Sequence, residues 1–340
     1  MKSLAIRVLK SDCEETMRKL KGLINPALLP KREKNFVYLP VKRVIKGFEL
    51  VERDFEERKI KPRSYKEIVD LPEELLPLLP TSYDIVGDIA LIKLPEELLR
   101  YKRKIGNAIL EVNSNIKVVC LIKPVKGEYR TRDIEIIAGE NRTETLHKEY
   151  GLRFYVDVKD VFFSPRLAGE RYRIANLVKK GEIIIDMFAG VAPFSIMLAR
   201  FGSPKIVYAI DKNPKAIELA KRNVVQNKVL DKVEILHGDA REVTKNLVEN
   251  GAKADRIIMN LPFLAYEFFI DSLLIAKNNC TIHYYDVLKE DEIKNRIQLL
   301  KEKAMNTGRE IEITGIRKIK TYAPREFYTC FDIRVKTKPA

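Results

Sequence analysis

The chain has 340 residues, 46% of them hydrophobic and 33% charged, enough for two or three domains with sizeable cores. Sixty-three Lys and Arg stand against 48 Asp and Glu, a formal net charge of +15, which points to a polyanionic partner or to the charged surface of a heat-adapted protein. No run approaches the roughly 20 apolar residues of a membrane span, and Cys13, Cys120, Cys280 and Cys330 form no C-x-x-C pair, so no zinc pattern exists, while a disulfide framework is not expected in an intracellular chain of this size.

The opening "MKSLAIRVLKSDCEE" lacks the apolar core of a signal peptide, so a cytoplasmic protein is expected. Residues 1–58 read as a small α/β unit. "SLAIRVL", "FVYLPV" and "FELVERDF" have strand character, and "SDCEETMRKLKGL" is a helix with Ser11 and Asp12 as possible caps. The charged stretch around Pro62 places a linker at 59–62.

Residues 63–150 form a second α+β region, expected to pack on the domain that follows. "SYKEIVDLPEELLPLLP" is a Pro-punctuated helical stretch. "SYDIVGDIALIKL" is a strand pair turning at Gly87-Asp88, and "PEELLRYKRKIGNAILEV" is a helix with Pro95 at its first position. "IKVVCLIK" and "DIEIIAG" are strands on either side of the basic "KPVKGEYRTRD".

From 151 to 340 strands and helices alternate. "EIIIDMF", "KIVYAID", "KVEILHGD", "ADRIIMN" and "CTIHYYDV" are successive strands with helices between them. That order predicts a mostly parallel, doubly wound sheet. "EITGIRKIKTYAPREFYTCFDIRV" closes it with two strands joined by a turn, an antiparallel end.

In such sheets ligands bind beyond the carboxyl ends of the strands. At the first end, "DMFAGVAPF" supplies Asp186, Phe188, Ala189 and Gly190, with small residues that admit a ligand close to the backbone. It is neither G-x-G-x-x-G nor a Walker loop, which disfavours a dinucleotide or a triphosphate. At the second end Asp211 is suited to both ribose hydroxyls, and at the third Asp239 and Ala240 to an adenine. The fourth end carries Asn260, Pro262 and Phe263 in "RIIMNLPF". Two acids and no phosphate cradle imply an adenosine ligand without phosphates, and S-adenosylmethionine fits. Each Asp alone is as well explained as a helix cap; their order along the chain carries the reading.

"FSPRLAGERYRI", "DMFAGVAPFSI", "MNLPF", "AGENRT" and "YAPREF" together resemble the archaeal and eukaryotic tRNA (guanine-N1)-methyltransferases that act on the guanosine 3′ of the anticodon, position 37. The resemblance runs from about residue 63 to the end and, less specifically, includes the first unit. It implies a Rossmann-like class I methyltransferase domain preceded by two smaller α/β regions, S-adenosylmethionine as cofactor, tRNA as partner and no metal. Residues 1–58 would then bind tRNA. With no heptad seam in the sequence, a monomer is expected.

Guanine N1 carries a proton, so methylation there needs a base and a donor for the charge that grows on O6. The resemblance assigns these roles to Glu170 and Arg130; Asn260 is suited to accept from the guanine edge or to order the loop. Phe162 and Arg166 are expected on the cofactor, and Arg132, Arg171, Pro262, Phe263, Tyr322, Pro324 and Arg325 on the substrate. Read locally, Glu170 would be a helix-dipole glutamate and Arg130 one solvated arginine among many. Leu261 differs from the N-P-P-[YF] pattern of enzymes that methylate exocyclic amines, which weakens an adenine-N6 reading. Two alternatives stay open. One is a wybutosine-pathway enzyme that methylates a tricyclic guanine derivative or transfers an aminocarboxypropyl group. The other is a non-catalytic RNA-binding module, against which Glu170, Asp211, Asp239 and Asn260 together argue.

Overall fold

In the computed structural model, which describes residues 1–58, 62–126 and 131–337, strand-forming runs pair into four sheets. The chain divides into two units, Met1–Ile68 and Val69–Ala340.

The first unit contains β1 (Lys2–Leu9), α1 (Cys13–Lys19), β2 (Lys31–Glu33), β3 (Phe36–Pro40) and β4 (Glu49–Asp54). The sheet order is β2-β3-β1-β4, antiparallel throughout. Alternation along β1 sends Ile6 and Val8 to one apolar cluster, with Val37 and Leu39, and Ala5 to another, with Tyr38 and Phe55. Only Pro62 of the expected 59–62 linker lies within the described residues, and the compact unit continues to Ile68.

A 3-10 turn at Tyr65–Glu67 closes the first unit, and another at Glu73–Leu78 opens the second. An α-helix was expected there, but Pro77 removes a donor from the stretch. β5 (Asp84–Val86) and β6 (Ile89–Ile92) turn at Gly87-Asp88 as the sequence predicts. A Cβ on Gly87 would lie 2.1 Å from Thr145 Oγ1. A 3-10 turn leads into α2 (Lys102–Val112), with Pro95 outside it. β7 (Val118–Lys126) and β8 (Thr131–Gly139) complete a sheet of order β5-β6-β7-β8. β9 (Glu144–Glu149) and β10 (Leu152–Asp157) form a separate hairpin, so the 150/151 boundary falls in its Tyr150-Gly151 turn.

After α3 (Ala168–Ala175) come β11 (Ile183–Asp186), α4 (Pro193–Phe201), β12 (Ile206–Asp211), α5 (Pro214–Gln226), β13 (Val233–His237), α6 (Ala240–Glu249) and β14 (Ala254–Met259). Then follow α7 (Phe269–Ile275), β15 (Ala276–Lys289), α8 (Ile293–Met305), β16 (Arg309–Ala323) and β17 (Glu326–Thr337). The seven-stranded order is β13-β12-β11-β14-β15-β17-β16; the first five strands are parallel and the last two antiparallel. Ile184 and Ile185, neighbours on β11, belong to two different buried clusters, so both sheet faces are covered. This is the doubly wound arrangement with an antiparallel end that the strand spacing predicts.

Candidate active site

The loops after β11, β12, β13 and β14 enclose a cavity of about 280 Å³. Asp211 ends β12 on its wall. One carboxylate oxygen accepts from the backbone N–H of Gly190 (2.6 Å) and the other from that of Asn213 (2.8 Å), so a single side chain ties two loops together. Burial raises its pKa, and the backbone donors oppose that rise. Gly190 (φ 57°) and Ala192 (φ 63°) both adopt left-handed backbone here, which lets the loop turn tightly into α4.

Asp239 caps α6 by accepting from the Arg241 N–H (3.0 Å), with the Lys212 ammonium 3.5 Å away. Ala240 and Phe188 share this wall, and Phe188 meets Phe268 edge-on at 5.0 Å. The site thus offers acceptors at two strand ends and an aromatic flank, a set that suits a hydroxylated sugar and a flat base.

Asp186 lies behind this wall. Expected to contact the ligand, it is 1% exposed and accepts from Ser195 Oγ (2.7 Å), while its other oxygen has no partner among the described residues. Burial pushes its pKa up to about 7; Ser195 opposes that, and the nearby Asp211 charge adds to it.

Asn260 follows the last residue of β14 and lines the cavity; its Oδ1 accepts from the Tyr328 hydroxyl. Pro262 and Phe162 sit where this cavity meets a second one, of about 560 Å³. Lys93, Lys123, Arg166 and Lys320 line the second cavity, which gives it a cationic wall. Phe263 (52% exposed, φ 73°) and Tyr322 (55% exposed) stand at its rim with rings edge-on at 5.5 Å.

Several expected contacts are placed differently. Arg166 belongs to the second cavity instead of the first and pairs with Asp84 at 2.6 Å. Arg171 is 1% exposed, and its guanidinium grips Glu149 (2.7 and 2.5 Å) and the Ser164 carbonyl (3.3 Å). It is a buried partner in the first cavity's wall, which removes it as a surface contact for substrate phosphates. Burial pushes Glu149 up, but hydrogen bonds from His147 and Arg171 outweigh it and hold the carboxyl below its usual value.

Glu170 is 5% exposed and lines neither cavity. Arg173 donates to both of its oxygens (2.8 Å each), and the Tyr285 hydroxyl donates to one (2.8 Å). Arg173 also reaches Asp332 (3.0 Å), whose carboxylate bonds His283 Nδ1 (2.6 Å); His283 Nε2 in turn meets Arg256 (2.7 Å). His283, Cys330 and Asp332 cluster within 4.8 Å, but both imidazole nitrogens are engaged in this ionic chain.

Arg130 lies outside the described residues. Arg132 stands in β8 opposite Val125. Pro324 and Arg325 form the turn between β16 and β17, off both cavity walls. Residues that the sequence left unassigned include Phe268, Lys212, Lys93 and Tyr328. Lys320 and Lys123 were visible only as members of basic stretches.

Residues 145–313 match the TRM5/TYW2 methyltransferase domain, residues 65–143 the TYW2 N-terminal domain and residues 5–49 the tRNA methyltransferase 5 N-terminal domain. The chain is 44% identical over 337 residues to the tRNA (guanine(37)-N(1))-methyltransferase Trm5b of Pyrococcus abyssi, covering 98% of this chain and 99% of that one. It is 34% identical over 279 residues to the tRNA(Phe) (4-demethylwyosine(37)-C(7)) aminocarboxypropyltransferase of Pyrococcus horikoshii, covering 81% and 97%. Among solved structures, the complex of aTrm5 and tRNALeu is similar with a TM-score of 0.85 at 38% identity, over 97% of this chain and 99% of that one.

Proposed function

The chain belongs to the TRM5/TYW2 methyltransferase family, and we propose that it transfers a methyl group from S-adenosylmethionine to N1 of guanosine 37 in tRNA. One observation carries the reading: a cavity with acids at two strand ends, balanced by Arg171, Lys212 and Arg241, meets a cationic cavity along Phe162 and Pro262. A neutral nucleoside suits the first, and a nucleotide with its phosphates suits the second.

The residues fit the cofactor. Asp211 keeps acceptor capacity beside its two backbone donors, and no Gly-rich phosphate loop competes for the site. Asp239 and Phe188 serve the adenine. When bound, the cofactor supplies an electrophilic methyl group on a sulfonium.

The rest falls to the protein. Turning the target nucleotide out of its stack costs a few kcal/mol, which contacts to the cationic wall offset. Glu170 takes the N1 proton in this account. To do so it must release Arg173 and turn toward the base. Arg173 would keep Asp332 as a partner (3.0 Å), so its charge is not stranded. Arg130 serves as the donor to O6, and residues 1–58 contact the tRNA away from the target.

A second reading is transfer to a tricyclic guanine derivative, or of the aminocarboxypropyl group. The volume of the second cavity, about 560 Å³, leaves room for a larger base. Incubation of the protein with S-adenosylmethionine labelled in both its methyl and its aminocarboxypropyl carbons, and with either an unmodified tRNA transcript or a tRNA carrying the tricyclic base at position 37, followed by nucleoside analysis, separates the readings. Labelled 1-methylguanosine is expected. Label appearing only with a tricyclic substrate would favour the second reading, and none with either would remove both.

A further inference from the structure

We propose that Tyr328 fixes the direction of the Asn260 amide, so that its NH₂ faces the target base and selects a purine with an acceptor at position 6. The inference rests on the methyl-transfer reading above and deepens it.

A primary amide has one acceptor branch and one donor branch. In Asn260 the acceptor is taken, because Oδ1 accepts from the Tyr328 hydroxyl. Nδ2 has no partner among the described residues, and Asn260 is on the cavity wall. The amide therefore presents hydrogens to whatever lies in front of it.

The hydroxyl that does this is itself held in place. Tyr328 is 4% exposed, in β17, paired with Val287 of β15 and Lys320 of β16. Its ring lies 6.0 Å from that of Tyr285, and the Lys320 ammonium is 5.1 Å from its centroid. A ring confined by two strands and two side chains delivers its hydroxyl to one point, and the amide follows.

The two purines differ at the position next to N1. Guanine carries a carbonyl oxygen there and adenine an amino group. A fixed NH₂ pairs with the first and opposes the second, leaving two donors facing each other. Sites built around such a hydrogen bond reject the wrong partner by up to roughly 10⁴-fold. Methylating an exocyclic amine would need the Oδ1 branch of this asparagine toward the base, and Oδ1 is turned to the Tyr328 hydroxyl. The relation also explains how Asn260 can serve guanine although a Leu, at 261, stands between it and Pro262.

The test is a double-mutant cycle with Tyr328→Phe and Asn260→Ala, read as single-turnover rates on a tRNA transcript with guanosine at position 37. Rates are followed over hours so that slow variants stay measurable. Tyr328→Phe keeps the ring and removes the hydroxyl. The expected result is a rate loss of about 10-fold, with dissociation constants for tRNA and cofactor unchanged. In the Asn260→Ala background the same change should cost nothing further. A wild-type rate for Tyr328→Phe, or losses that multiply in the double variant, would overturn the proposal. Failure of the unaltered protein to form 1-methylguanosine would instead remove the reading on which it rests.

Discussion

Arg173 holds both carboxylate oxygens of Glu170 at 2.8 Å from one turn further along α3. A carboxylate in such a fork is well ordered, with both oxygens engaged. Its use as a base therefore depends on exchange of these bonds. Glu170→Gln should lower the single-turnover rate by about 100-fold with tRNA affinity unchanged. A rate equal to that of the unaltered protein would leave Glu170 as a purely structural member of the Arg173–Asp332–His283 chain.

Arg171 and Glu149 form a buried pair, with side chains only 2% and 4% exposed. Removing one partner strands the other charge. Arg171→Met should destabilise the fold by about 3–5 kcal/mol in urea denaturation, and adding Glu149→Leu should restore a large part of that. Additive losses would show that packing against Phe163, 5.2 Å from the guanidinium, matters more than the charge.

Asp186 gives the protein a pH signature. Burial lifts its folded pKa to about 7, above the ordinary value of 3.8, so the native state holds a proton that the unfolded chain has lost. Stability from this group is full below the unfolded value and falls as pH rises from about 4 to about 7. Asp186→Asn should flatten that slope in thermal unfolding of the cofactor-free protein. A slope identical in both proteins would mean that the buried carboxylate ionises freely.

The Phe263 and Tyr322 rings at the rim of the cationic cavity are exposed and edge-on to one another. On the proposed reading they support the displaced nucleotide. Replacing either with Ala should weaken tRNA binding by roughly 10-fold and leave cofactor binding untouched, as titrations of each ligand would show. Binding should also weaken steeply with salt, through the phosphate contacts.

The parallel sheet was readable because its strands are short apolar runs ending in Asp211, Gly238-Asp239 and Asn260, all found at the mouth of the cavity. Asp186 ends a strand too, but it shares a parity with Ile184 and so points beneath α4 to Ser195. Strand-end position alone does not settle that. The burial of Glu170 was hidden because Tyr285 and Asp332 lie far along the chain from α3. Tyr328 reads as an ordinary strand tyrosine until β17 brings it to Asn260. β2, "KRE", carries no apolar signal, and the β9–β10 hairpin turns at Tyr150-Gly151 without an Asn-Gly or Asp-Gly pair.

The most direct test uses two unmodified tRNA transcripts that differ only in guanosine or adenosine at position 37. Each is incubated with S-adenosylmethionine and analysed by fragment mass spectrometry. The account predicts one added methyl group, on N1 of guanosine 37, and none on the adenosine transcript. A methyl group on another nucleotide, or equal methylation of both transcripts, would contradict it.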